Sequence, residues 1–189
     1  MDFQFFFPTV MCFDWAPELA EKLLPLCNKY TSESNTNLLG HKNFPSTLYD
    51  QLSNKVNEEP IVLETLEIIH EKYVKQMMEF RNLKYDRNDF SKPFGFFSSM
   101  GKGAILRKHS HRDCKFSGIL YLECGQDAPS LVFHDPRPFT KFTEGNFQTD
   151  DIIAVKAETN KFVLWDHWLE HEVLEKEDDQ PRKAFSFNI

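Results

Sequence analysis

Hydrophobic positions recur with two different periods along this chain. In the first half, Leu19, Leu23, Leu26 and Tyr30 follow at steps of three and four residues, after Asp14 and Pro17. That spacing predicts a helix starting near Pro17 with one apolar face. Pro25 falls inside the pattern, and its missing N–H is expected to kink or end the helix. From Thr31 to Ser46 the chain is polar, with Gly40 and Pro45, and reads as a loop. Glu59 to Asn82 carries the strongest helical stripe: Val62, Leu66, Ile69, Tyr73, Met77 and Phe80. The stripe is expected to pack on a sheet rather than to hold a cofactor.

After Asp89 the pattern changes to short strands separated by turn residues. Strands are expected near Pro93–Ser99, Ala104–His109, Phe116–Glu123, Ser130–His134, Ile152–Ala157, Lys161–Trp165, His171–Glu175 and Lys183–Asn188. Eight short strands broken by Gly, Pro, Asn and Asp point to a barrel or a double-sheet jelly roll. The apolar start, MDFQFFFPTVMCF, reads as one more short strand. Asp135 to Asp151 is long enough for a lid or substrate loop, or for a plain surface excursion. The expected class is α+β, a single domain over residues 1–189, with residues 1–90 as helical support and 91–189 as the jelly-roll core.

Composition narrows the classes. The 189 residues suffice for one domain with a full core and fall short of two ordinary ones. Nineteen phenylalanines suit a core built on sheets. Twenty-two basic against 29 acidic residues give a net charge of −7, which disfavours nucleic acid and anionic membranes as partners. No apolar run reaches the roughly 18–20 residues of a membrane span, and the N-terminus lacks the basic start of a secretory signal. Cys12, Cys27, Cys114 and Cys124 form no C-x-x-C pair, so reduced thiols and a cytoplasmic location are expected. The spacing of Cys114 and Cys124 matches no usual structural zinc site.

Candidate chemistry gathers around histidines. In an extended strand His109, His111 and Asp113 would share one face. Two imidazoles and a carboxylate there suit a metal, although RKHSHRD also reads as a solvated strand end. About sixty residues later, in FVLWDHWLEHEVLEKEDDQPRKAFSFNI, a bulky strand ends in a turn and His171 opens the next strand. Arg182, Ala184, Ser186 and Asn188 then alternate with Lys183, Phe185 and Phe187, giving one small polar face and one largely aromatic face. His167 is expected in the turn, Trp165 and Trp168 in packing, and Glu170–Asp179 in a solvated hairpin.

Read together, His109-Ser110-His111, Ser117-Gly118-Ile119-Leu120-Tyr121, Phe162 to His171, and Arg182 to Phe187-Asn188 resemble the iron(II)- and 2-oxoglutarate-dependent oxygenases. The match is to a subgroup with H-x-H, SG-x-x-Y and a C-terminal R-x5-N, over about residues 95–189. The resemblance implies a double-stranded β-helix (a jelly roll) with N-terminal supporting helices and one Fe(II) in its mouth. It implies 2-oxoglutarate as cosubstrate, and hydroxylation of a small molecule or protein side chain with decarboxylation to succinate. His109, His111 and His171 would hold the metal. The family at large has a carboxylate two residues after its first histidine, where this chain has His111. The alternatives are a three-histidine site or a shifted pair of His111 and Asp113, and the first keeps the distance to the Ser-Gly and Tyr that follow. Arg182 would clamp the far carboxylate of 2-oxoglutarate with its planar fork. Tyr121, on the strand face of Ser117 and Ile119, would add a hydroxyl or serve as core, and Ser186 and Asn188 would line the pocket.

Two other readings stand beside this one. Gly103, five residues and then H-S-H looks like the first half of a cupin motif, but Lys115 and Phe116 stand where its glutamate belongs. A non-catalytic jelly-roll binding module would keep the fold and have no use for Arg182.

Overall fold

The computed structural model describes residues 9–136 and 152–189. Helix α1 (Pro17–Glu33) buries Leu19, Leu23, Cys27 and Tyr30. Contrary to expectation it runs on through Pro25. Pro25 is on the exposed side, where water can satisfy the Glu21 carbonyl that loses its partner. The following loop is pinned by isolated bridges between Asn37 and Pro45 and between Ser46 and Ser98.

A short helix, α2 (Ser53–Val56), precedes α3 (Pro60–Ile68), which continues through a π-helical turn at Ile69–Val74 into α4 (Lys75–Phe80). Val62, Leu66, Ile69, Tyr73 and Met77 are buried as the stripe predicts, but Phe80 is 77% exposed. The wider π turn shifts the buried positions to Tyr73, Val74, Met77 and Met78, leaving Phe80 outside at the helix end.

Among the described residues nine strands follow the predicted order: β1 (Cys12–Trp15), β2 (Phe94–Ser99), β3 (Leu106–His109), β4 (Phe116–Cys124), β5 (Leu131–His134), β6 (Ile152–Val155), β7 (Lys161–Asp166), β8 (His171–Val173) and β9 (Arg182–Asn188). They form two antiparallel sheets, β1-β7-β4-β9-β2 and β3-β8-β5-β6. This is a double-sheet jelly roll with helices beside it. The helices cover the outer face of the five-stranded sheet, where Leu23, Leu66 and Tyr73 join Phe97, Phe162, Phe185 and Phe187 in one cluster. Tyr73 stacks on Phe162 at 4.1 Å between centroids. Between the sheets lies a second cluster that includes Ile119, Tyr121, Phe133, Trp165 and Ala184. Gly118 is required by close approach: a Cβ there would lie 2.1 Å from the Phe187 ring and 2.8 Å from the Val163 carbonyl oxygen.

Arg81 reaches from the end of α4 to Asp166, its two Nη atoms donating at 2.8 and 2.9 Å, and so anchors the exit of β7. Two expectations about the C-terminal half need correction. Trp168 is 44% exposed, because it sits in the turn after β7 rather than on a sheet face. The Glu170–Asp179 run is not a plain solvated hairpin: β8 buries His171 and Val173, and the fully buried Lys176 is bound by Asp178. All four cysteines are reduced. No helix among the described residues is long and apolar enough to cross a membrane. The predicted lid lies outside the described residues from position 137 onward, as do residues 1–8 of the apolar start.

Because Leu66 is almost fully buried against the sheet and far in sequence from the histidines, Leu66→Ala is expected to cost about 2–5 kcal/mol. Urea titration checks the loss. Nickel affinity of the folded variant should match the wild type, and a drop in affinity without a drop in stability would contradict a purely structural helix.

Candidate metal centre

The two short strands β3 and β8 pair so that His109 and His171 are direct cross-strand partners. Each Nδ1 donates at 2.8 Å to a backbone carbonyl two residues earlier, that of Arg107 and of Leu169 respectively. A carbonyl only accepts, so the proton sits on Nδ1 and the Nε2 lone pair is free. The third histidine arrives differently. The chain leaves the strand after His109, so the expected single face through Asp113 does not form. His111 is instead fixed by the turn residue His167, whose carbonyl accepts the His111 N–H at 2.8 Å and whose Nδ1 donates to the His111 carbonyl at 3.0 Å.

The nitrogens of His109, His111 and His171 that could ligate a metal all lie within 4.8 Å of one another. Asp113 is not part of this group: it has φ +60°, is exposed, and accepts from Ser91 Oγ through its carbonyl. Burial, reinforced by the neighbouring imidazoles, pushes His171 down to about 3 and His111 down to about 4, and His109 is lowered as well. Three neutral imidazoles are thus concentrated in one place at neutral pH. The Nε2 atoms of His111 and His171 are 3.2 Å apart. Two lone pairs at that distance repel unless a proton or a cation stands between them. The donor set therefore fits a divalent transition metal.

The histidines line a cavity of about 460 Å³ together with Arg182, Ser186 and Asn188. Arg182 is only 2% exposed. Its Nε donates to the Pro129 carbonyl at 3.0 Å and its Nη2 to the Tyr121 hydroxyl at 3.4 Å. Among the described residues no carboxylate lies within ion-pair distance of it. A buried guanidinium without a carboxylate is costly, and an anionic guest would offset that cost. Tyr121 is fully buried behind Arg182, and burial pushes its hydroxyl up to about 12, keeping it protonated. The opposite wall was not foreseen. Leu38, Leu39 and Phe44, from the stretch read as a polar loop, and Leu48 and Tyr49 just beyond it make it apolar. Leu39 and Tyr49 hold left-handed backbone angles of +49° and +61°. The adjacent leucines and Phe44 were the available signal.

Since His109, His111 and His171 stay neutral in the fold but not in the unfolded chain, the sign of their linkage is fixed. The unfolded chain takes up protons first, near the ordinary value of 6.5. Stability of the chelator-treated protein should be full above that pH and fall as pH drops towards 4. Urea midpoints at pH 7.5, 6 and 5 check this, and a flat series would contradict it.

The family described as "Putative 2OG-Fe(II) oxygenase" matches residues 96–188. Among solved structures, a Pseudomonas putida prolyl-4-hydroxylase is similar with a TM-score of 0.62 and 16% identity, over 95% of this chain and 91% of that one. HygX from Streptomyces hygroscopicus, solved with nickel and 2-oxoglutarate, gives 0.60 at 12% identity over 95% and 83%. A prolyl hydroxylase from Trichoplax adhaerens, solved with a hypoxia inducible factor peptide fragment, gives 0.60 at 11% over 94% and 82%. At these identities the likeness is one of fold. No curated protein matches the sequence. The family match spans β2 to β9 and includes all three clustered histidines and Arg182; over residues 96–188 the chain matches the 2-oxoglutarate- and iron(II)-dependent oxygenases, a family of oxidoreductase enzymes.

Proposed function

We propose that this chain hydroxylates a small molecule or a protein side chain, converting 2-oxoglutarate and O₂ to succinate and CO₂. The observation that carries the reading is the sharing of one cavity by three neutral imidazoles and a buried, carboxylate-free arginine. His109, His111 and His171 would hold iron, which when bound supplies the activation of O₂. Arg182 takes the far carboxylate of 2-oxoglutarate in a bidentate grip, and the protonated Tyr121 behind it holds the guanidinium in place. Ser186, four residues on and on the same strand face, adds a hydroxyl to the cavity wall. The apolar wall from Leu38 to Tyr49 excludes water from the reacting bond and meets the substrate. Four reduced thiols, each raised by burial, support a reducing cytoplasmic location.

The test is a pair of variants. His171→Ala should abolish stoichiometric iron binding while the circular dichroism spectrum is kept. Arg182→Lys keeps the charge but loses the fork, so affinity for 2-oxoglutarate should fall roughly 10–100-fold with little change in iron affinity. Succinate formation against 2-oxoglutarate concentration reads the second effect. Equal apparent affinity in wild type and variant would move the anchor elsewhere. Iron binding without any dependence on 2-oxoglutarate would favour the non-catalytic or cupin-like module.

A further inference from the structure

Two of the three clustered histidines depend on one short turn. His111 lies beyond the end of β3, and His167 takes both of its backbone polar groups. The His111 N–H donates to the His167 carbonyl at 2.8 Å, and the His111 carbonyl accepts from His167 Nδ1 at 3.0 Å. Leu169, two residues on, accepts the Nδ1 proton of His171 through its carbonyl. The Leu169 N–H in turn donates to the Asp166 carbonyl at 3.0 Å, and the His167 N–H to the Lys115 carbonyl at 3.2 Å. Residues 166–169 therefore set the reach of the His111 ring and the tautomer of His171. The turn opens on Asp166, the last residue of β7, and there the helical layer takes hold. The two-pronged grip of Arg81 on the Asp166 carboxylate is largely buried. Its guanidinium lies 5.3 Å from the centre of the Phe116 ring, and Phe116 is the direct partner of Asp166 across β4 and β7. A planar fork held on both oxygens and set against a ring leaves the carboxylate little freedom to turn.

We propose that Arg81, acting through Asp166 and His167, is a positioning residue for the histidine cluster. Arg81 does not line the cavity; it fixes the turn from which His111 and His171 are held. The two partners are 85 residues apart in sequence, so the turn is placed by the helical layer rather than by its own strands. His109 is independent of it, because its Nδ1 is tied to the Arg107 carbonyl on β3. Releasing Asp166 should therefore shift His111 and His171 relative to His109 and spread the donor set, with both sheets still formed. The inference rests on the reading that the histidine cluster holds a divalent metal. A plain stabilising ion pair would instead lower stability and leave the metal affinity of the folded protein alone.

Nickel(II) titration by calorimetry, with the visible spectrum of the cobalt(II)-loaded protein, tests it. His167→Leu removes the donor to the His111 carbonyl; nickel affinity should fall about 10–100-fold and the cobalt spectrum should change. His167→Asn puts an amide N–H where Nδ1 stands and should return both close to wild type. Arg81→Gln and Asp166→Ala should each weaken nickel binding about 10-fold, and the double variant should lose no more than either single one. Arg81→Lys keeps the charge without the fork; it should show a smaller loss in the same direction and serves if Arg81→Gln does not fold. Leu66→Ala is the control, destabilised under the same sheet yet expected to keep wild-type affinity. Wild-type affinity and spectrum in the folded Arg81 variants would overturn the proposal while leaving the metal site standing. Additive losses in the double variant would overturn it too, as would an equal loss in Leu66→Ala. A wild-type protein that binds neither nickel nor cobalt would overturn the metal site and this inference together.

Discussion

The register of β9 is the constraint on which the remainder depends. This strand lies between β4 and β2 inside the five-stranded sheet and divides its residues strictly by face. Phe185 and Phe187 point to the helices, while Arg182, Ala184, Ser186 and Asn188 point between the sheets. A slip of one residue would carry Lys183 and two phenylalanine rings into the cavity and put Arg182 under α1. Gly118 on β4 and Gly95 on β2 guard that register, because each leaves room for one of the phenylalanine rings. Burial of aromatic surface under the helices and placement of a charged side chain in the cavity are therefore one event.

The cavity lies where the two sheets face each other, and each sheet contributes a different chemistry. The four-stranded sheet supplies a cross-strand histidine pair with preset tautomers. The five-stranded sheet supplies a buried cation and polar side chains. His111 belongs to neither sheet and is held through its backbone by His167 in the turn after β7. Among the described residues only imidazoles converge at the site, and burial keeps them neutral. Asp113, the carboxylate nearest in sequence, is turned outward by its left-handed backbone.

Much of this was legible in the sequence, for reasons that are local. The stripe from Val62 to Met77, the alternation of β9 and the turn before His171 are periodic signals that short-range sterics enforce. The order of H-x-H, distal histidine and arginine gave the cavity floor. What escaped was set by contacts distant in sequence or by a single residue of irregular backbone. Pro25 did not break α1 because its exposed side has water available. Phe80 lost its place to the π turn. His111 and Asp113 parted because the strand stops at His109. Lys176 is buried by backbone bonds to Gly103 and Ala104 that no periodicity announces. The apolar wall is built by a segment bridged to β2 through Ser46 and Ser98, and its part at Leu38, Leu39 and Phe44 lies in a stretch whose composition read as polar.

The central claim is that the histidine cluster and Arg182 form one site for iron and 2-oxoglutarate together. Anaerobic titration of the wild-type protein, first with Fe(II) and then with 2-oxoglutarate, addresses it most directly. The account predicts one equivalent of iron, followed by a weak visible charge-transfer band that saturates at one equivalent of 2-oxoglutarate. Stoichiometric iron binding with no band at any 2-oxoglutarate concentration would contradict it.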